Sequence, residues 1–507
     1  MSVVTKWQRL VEDQQTLRLL VVLVSLLWSA VVLLQNPVLN DDAYGYLRAA
    51  LLFREEGLAA VFDRYGWYGY SVLIGVLDAG LPGGVKAAAH VLDAALLALL
   101  VLAFVDCAAL LQPAPRTRLL AAGILLFPLL NEMRFYVVRD FGFWAFTLLS
   151  LSQLERQRRQ PGWWPACGWC LALLAATLFR LEALLLAAFT PLGAWRGTDW
   201  RTRWQPYVAL VLMAGLLLLL AQFTGADLPA RLQYAYRFYL PPLGDLPASF
   251  AAKAEALITL LYSPGNFPRN ADLPYGVVLL ALDHLVVFAA NLVEALGTPL
   301  TLLLAVGLWR GWLRGRLQGV WAAYWQVSAL SLFVFLCLMH FLTQRYATLL
   351  CLLLLLWLPT LLQQANLALQ PLAHARRWRL AGGLVLVLLA VDSLFSFGHS
   401  QDYLQEAVAW TRSNLPPGQS LLTNNRFVAF ESGRMADFDQ PPATIADTLR
   451  LVPLNSPLVV VLKAGDDAGR QQLADLANLQ LLARFANERG DEARVYHVYD
   501  PALPRSP

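Results

Sequence analysis

Long apolar runs separated by short polar connections dominate this chain as far as Ser396, and their length is the first thing that decides its class. Such runs lie near 17–35, 84–111, 118–131, 138–154, 165–179, 181–194, 205–222, 276–308, 320–342, 346–363 and 380–396. A stretch of about 20 apolar residues crosses the hydrocarbon core of a bilayer as a helix, so the pattern predicts a polytopic α-helical membrane domain of about 11 spans over residues 1–396. The first run follows a long polar start and has no small-residue cleavage site behind it, so it reads as an uncleaved span. From Asp402 the pattern changes. An amphipathic stretch from Tyr403 to Asn414 leads to a Leu-Pro-Pro-Gly turn, then to short apolar runs at Ser420–Thr423, Leu458–Leu462 and Val495–Tyr499 with polar helical stretches between them. This predicts a small soluble α/β domain over 397–507.

Composition agrees. Of 507 residues, 58% are hydrophobic and only 15% charged, below the charged quarter usual in soluble domains. The net charge of +4 argues against a nucleic-acid partner, and the lipid bilayer becomes the main one. Cys107, Cys167, Cys170, Cys337 and Cys351 sit in or beside apolar runs and form no disulfide framework; the single Cys167-x-x-Cys170 reads as small apolar filler. Position matters more for the arginines. Lys6, Arg9, Arg18, Arg116, Arg118, Arg156, Arg158, Arg159, Arg196, Arg201, Arg203, Arg310, Arg314, Arg316, Arg376, Arg377 and Arg379 all fall on one side of the expected topology. Basic connections stay in the cytoplasm, which puts the N-terminus there and the segments 36–83, 223–275 and the terminal domain on the opposite, periplasmic side.

Chemistry is expected on that outer side. After the first span comes Asn40-Asp41-Asp42-Ala43-Tyr44, opening an amphipathic stretch with Arg48 that reads as an interfacial helix. Two readings of the acidic pair stand equal: Asn40 caps the helix while Asp41 and Asp42 complement its dipole, or one carboxylate is a general base and the other positions it or helps hold a metal. Arg134, Arg139 and Asp140 form a dense cluster between two expected spans, and Arg139 with Asp140 could equally pair with each other. Arg180-Leu181-Glu182 stands between two short apolar runs, and Arg345-Tyr346 opens a leucine-rich one, where an arginine could simply anchor a helix end. Charges at membrane depth are costly and gather around cavities. Carboxylates beside several arginines suit a reaction in which an acceptor loses a proton while a phosphate departs.

These motifs resemble the GT-C membrane glycosyltransferases, in the branch of the protein O-mannosyltransferases and the lipid A aminoarabinose transferase. The resemblance rests on the Asp41-Asp42 pair after the first span, Arg139-Asp140 at the start of the fourth, Arg180-x-Glu182 before a span holding Pro191, and Arg345-Tyr346. It implies inverting transfer of a sugar from a polyprenyl-phosphate carrier to a glycan, lipid or protein acceptor at the periplasmic face of the inner membrane. Asp41 would be the catalytic base and Asp42 its neighbour, the two interchangeable on spacing alone. Arg139, Arg345 and Arg134 would hold the donor phosphate, and Asp140, Arg180, Glu182, Tyr44, Arg48 and Tyr346 would shape the site. No cofactor is certain. A divalent metal stays open, with Asp42 and Asp140 as its candidate ligands. The 223–275 segment, with Tyr234, Tyr236, Phe238, Tyr239, Pro241, Pro242, Tyr262, Pro264, Arg231, Arg237, Lys253 and Arg269, would choose the acceptor; its plainer meaning is an aromatic interface belt. The rival from another class is a transporter or flippase for a lipid-linked saccharide. It would use the same phosphate cavity without breaking a bond, and the absence of an internal repeat counts against it.

Overall fold

The computed structural model describes residues 13–35, 38–64, 68–114, 116–194, 199–223, 228–261, 273–372, 374–395, 401–451, 459–464, 469, 471 and 479–498. Lys6, Arg9, Arg196, Tyr262, Pro264 and Arg269 lie outside them, as do the side chains of Arg231, Tyr234, Tyr236, Arg237, Phe238, Tyr239, Pro241 and Pro242. The chain divides into two compact units: Met1–Val31, Asp93–Arg134 and Arg139–Leu394 form one, and Val32–Leu92, Phe135–Val138 and Phe395–Pro507 the other.

Among the described residues four helices are long and apolar enough to cross a membrane: Gln14–Gln35, Gly84–Leu111, Pro274–Leu296 and Gly319–Met339. Gln344–Leu355 and Leu358–Leu369, bent by 57° at their junction, meet the same test together, as one broken span or a re-entrant loop. The apolar helices Thr117–Leu126, Trp163–Phe179, Ala183–Gly193 and Thr298–Trp309 are shorter. The chain is a multi-pass membrane protein. Several expected spans are interrupted. The 276–308 run breaks at Gly297, whose φ of 75° only glycine adopts cheaply, with Pro299 opening the next helix. The 118–131 run becomes a helical turn, a 3₁₀ stretch and a second turn starting at Pro128. The segment expected as an outer loop around 223–275 is helical over Leu228–Leu261.

In the first unit, helix Asp140–Arg159 packs on Trp163–Phe179 as an antiparallel pair. Its ends suit its dipole, with Asp140 in the first turn and Arg156, Arg158 and Arg159 in the last. Several polar groups inside this apolar unit are paired. Tyr324 Oη accepts from Trp169 Nε1 at 3.1 Å and shares a 2.8 Å hydrogen bond with Ser150, while Asp106 accepts two bonds from Arg18 at 2.9 and 2.7 Å. The bend near Leu356 is also closed. Trp321 Nε1 donates to the Leu353 carbonyl at 2.7 Å and Gln112 Nε2 to the Leu356 carbonyl at 2.5 Å; Gln112 Oε1 accepts from the Thr360 amide and hydroxyl at 3.1 and 2.6 Å. Lipid offers no hydrogen bonds, so a helix break at that depth needs such substitutes.

The second unit joins helices Asp41–Glu56, Leu58–Arg64 and Gly69–Gly80 to the terminal domain. Ala49, Leu52 and Val61 form a small core with Phe53 and Tyr68, and Arg54 pairs with the buried Asp78. The terminal domain holds a four-stranded sheet of β1 (Leu421–Thr423), β2 (Val459–Ala464), β3 (Leu479–Ala486) and β4 (Glu492–Val498) in the order β1-β2-β4-β3. β1 and β2 run parallel, while β4 pairs antiparallel with both β2 and β3. Helix Asp402–Asn414 packs on β3 and β4, and Ile445 and Leu449 cover the other core residues Val460, Leu462 and Tyr496. Strands β1, β2 and β4 fall where the apolar runs predicted them; β3 is an addition.

Candidate functional site

In the first unit the charges scattered through the sequence meet. Helix Trp163–Phe179 ends and the chain turns extended at Arg180, with φ −145° and ψ 133°. Gly142 makes room for this end: a Cβ there would lie 2.3 Å from the Phe179 ring, so only a glycine lets Phe179 press against the helix that Asp140 begins. Arg180 thereby reaches Asp140 at 2.5 Å, and it binds Glu182 at 2.6 Å through Nη2 and 3.2 Å through Nε. Arg345, second residue of Gln344–Leu355, brings Nε to 3.6 Å from the other oxygen of Asp140. The guanidinium of Arg180 lies over the rings of Phe143 and Tyr346, 5.6 and 5.2 Å from their centres, and that of Arg345 lies 5.3 Å from the Tyr346 ring. Arg345 also donates to Tyr346 Oη at 3.4 Å. Phe335 and Phe341 pack around Tyr346, with centroids at 5.0 and 6.3 Å.

Asp140 is 2% exposed, and the Arg180 side chain is 11% exposed. Arg139, at the residue before the helix, stands near enough for its charge to act on Glu182, one of whose carboxylate oxygens is buried without a hydrogen-bond donor. Among the described residues this cluster sets three guanidinium groups against two carboxylates, one net positive charge inside apolar surroundings. Such an arrangement attracts an anion.

Arg134 does not join it. This buried guanidinium donates to the Ser25 carbonyl at 2.9 Å, to the Ser25 and Ser29 hydroxyls at 3.2 and 2.9 Å, and to Asn131 Oδ1 at 2.9 Å, and it lies over the Trp28 ring. Its Nη1 is given over to helix Gln14–Gln35. The residue ties that helix to the connection bearing the Arg139-Asp140 motif.

The acidic pair lies in the second unit. Helix Asp41–Glu56 begins at Asp41, with Asp41 and Asp42 exposed in its first turn. Asn40 stands at the cap position but caps nothing. Its Oδ1 accepts from the Val137 amide at 2.8 Å and its Nδ2 donates to the Val137 carbonyl at 3.4 Å. The helix is held from the terminal domain by helix Arg426–Ser432. Tyr44, 1% exposed, meets the Phe430 ring at 5.8 Å, Phe430 rests on Phe438 at 4.9 Å, and Arg426 Nη1 donates to the Asp41 carbonyl at 3.4 Å. Lys86 binds Glu431 at 2.6 Å, and Arg412 bonds the same residue. Burial, with Glu431 nearby, pushes the Tyr44 phenol well above its usual range and keeps it protonated. Arg48 pairs with Glu55 on its own helix at 3.7 Å. Lys86, Arg426 and Phe430 escaped the sequence reading because a contact across the sequence leaves no local pattern. Among the described residues no three His, Cys, Asp or Glu side chains gather as a metal site.

No family model and no curated protein matches this sequence. Solved structures do match in fold. The crystal structure of the Archaeoglobus fulgidus oligosaccharyltransferase in the apo form aligns with a TM-score of 0.50 at 12% identity, over 82% of this chain and 64% of that one. The ArnT of Cupriavidus metallidurans bound to undecaprenyl phosphate aligns with a TM-score of 0.49 at 11% identity, over 94% and 97% of the two chains. The chain therefore spans less than two thirds of the oligosaccharyltransferase. In fold it resembles the GT-C membrane glycosyltransferases, the family its charged motifs pointed to.

Proposed function

We propose that this chain is a glycosyltransferase that moves a hexosyl or pentosyl group from a polyprenyl-phosphate carrier to a glycan, lipid or protein acceptor. The reading places eleven spans in a bacterial inner membrane, with the N-terminus in the cytoplasm and the reaction at the periplasmic face. The observation that carries it is the half-buried cluster of Arg180, Glu182, Arg345 and Arg139 around the buried Asp140, whose single net positive charge suits a phosphodiester bearing one negative charge. Apolar helices around it give a polyprenyl tail its solvent. In the reaction, the acceptor hydroxyl oxygen attacks the anomeric carbon from the face opposite the phosphate. Its proton passes to the Asp41 carboxylate, the anomeric carbon–oxygen bond breaks, and the electron pair leaves with polyprenyl phosphate. Arg139 and Arg345 stabilise that leaving phosphate, and Asp140, Arg180, Glu182 and Tyr346 hold them in place. Asp42 supports Asp41; Tyr44 and Arg48 hold its helix, and Arg134 holds the helix before it.

The test is release of polyprenyl phosphate from a polyprenyl-phosphate sugar by the purified protein. Turnover that disappears in Asp41→Asn while donor binding persists supports the assignment; turnover like the wild type in that variant removes Asp41 as the base. One observation favours a second reading, a flippase, because the span bent by 57° is the kind of broken helix that transporters place beside their substrate. Donor binding with no release under any condition, together with movement of the lipid between leaflets, would decide for it.

A further inference from the structure

A second group of titratable side chains meets on the first unit's helices and has no part in the reaction above. His284, 2% exposed on helix Leu273–Leu296, presents Nε2 to Nδ1 of His340 at 3.1 Å, with the rings edge to face. His340 closes helix Gly319–Met339 in the left-handed region, at φ 54° and ψ 23°, which an ordinary side chain occupies only when its surroundings hold it there. Helix Leu228–Leu261 supplies the rest of those surroundings. Ser249 Oγ lies 3.5 Å from His340 Nε2, and the Phe250 ring lies 5.5 Å from that of His284. Among the described residues, the charged groups facing the pair are Lys253, on the same helix as Ser249, and Asp283, whose Oδ2 is 3.5 Å from His284 Nδ1.

Farther along its helix, past His284, Glu294 accepts from Gln344 Nε2 at 3.2 Å. One helix thus holds both ends of the connection from His340 to Gln344. The next residue is Arg345, which reaches Asp140.

Two imidazoles facing at this distance can share one proton only. If both rings are cationic, each presents an N–H to the other and the bond cannot form. We propose that the His284–His340 bond is a proton-sensitive staple that positions Arg345 for the donor phosphate: it is made while the pair carries at most one charge and is broken by a second proton. The inference rests on the donor-phosphate role given to Arg345 above. Its sign is fixed by that chemistry. The staple is closed above neutral pH and opens on acidification, when the second imidazole takes a proton.

The test uses the full chain in lipid nanodiscs, comparing hydrogen exchange of peptides over 340–346 with affinity for polyprenyl phosphate at about pH 7.5 and about pH 5. In the wild type, acidification should raise exchange in this connection, after correction for intrinsic rates, and weaken the lipid about five- to tenfold, the worth of one net hydrogen bond. His284→Phe, which fills the space without a bond, should show raised exchange and weak binding at both pH values. His340→Asn keeps a residue that tolerates the left-handed conformation but cannot titrate, so its exchange should show no pH step. A wild type without the step, or a step that persists unchanged in both variants, overturns the proposal. If the wild type binds no polyprenyl phosphate at any pH, the donor role of Arg345 fails, and the exchange step still decides whether the staple exists.

Discussion

The arginine cluster and the acidic pair make opposite use of charge. Asp140 is buried between Arg180 and Arg345, and Glu182 lies against Arg180, so nearly every charge in the cluster leans on another. Asp41 and Asp42 are exposed, and the protein's effort there goes into their helix: Tyr44 is seated on Phe430, and Asn40 is paired with Val137. A cluster whose charges hold one another is expensive to disturb whatever its task. A carboxylate displayed on a braced helix can be lost with little structural cost, so any large effect of losing it is chemical.

That contrast gives an ordered set of expectations. Asp41→Asn should lower turnover by about 10² to 10⁴, the usual worth of a general base, while the thermal unfolding midpoint in detergent stays near that of the wild type. A fall in both would merge the two regions into one class. Arg180→Met should unfold the protein more easily by about 3 kcal/mol, since Asp140 would remain buried and Glu182 half-buried without their main counter-charge; a stable, inactive variant would show that the cluster bears no structural weight. Asn40→Ala strips Val137 of two partners and should cost about 1–3 kcal/mol, read as increased exchange in the first turn of Asp41–Glu56 together with reduced turnover. Smallest of all, Lys86→Glu should loosen helix Arg426–Ser432 by about 0.5–1 kcal/mol, and the double change with Glu431→Lys should restore the part that the Arg412–Glu431 pair does not carry. No recovery in the double variant would mean that Phe430 on Tyr44, and not charge, fastens the terminal domain.

The membrane class, the terminal sheet and the grouping of Asp140, Arg180, Glu182, Arg345 and Tyr346 were legible in the sequence, because charge in an apolar run has few reasons to exist. Arg134 stands apart from that grouping, and a pattern in the sequence points to its partners: Ser25, Trp28 and Ser29 put a stripe at helical spacing on the first span that can receive a buried guanidinium. Pro241 and Pro242 suggested a loop where the chain forms the long helix Leu228–Leu261, and propensity lost to context. The run Leu-Gln-Leu-Leu-Ala-Arg-Phe-Ala at 479–486 reads as helix and is β3, since its partner β4 supplies the ladder that a local reading cannot see. The separation of the acidic pair and the arginines into different compact units was likewise invisible in a linear pattern.

Gln112 carries a consequence for how the protein is made. Its side chain closes the backbone at the bend between Gln344–Leu355 and Leu358–Leu369, yet it precedes its two partners by 244 and 248 residues. During synthesis from the N-terminus the closure is therefore in the membrane long before the bend that needs it. Closing this kink thus falls to a side chain on a segment made earlier. A Gln112→Leu chain would insert its early helices normally and meet its difficulty only when the late ones arrive.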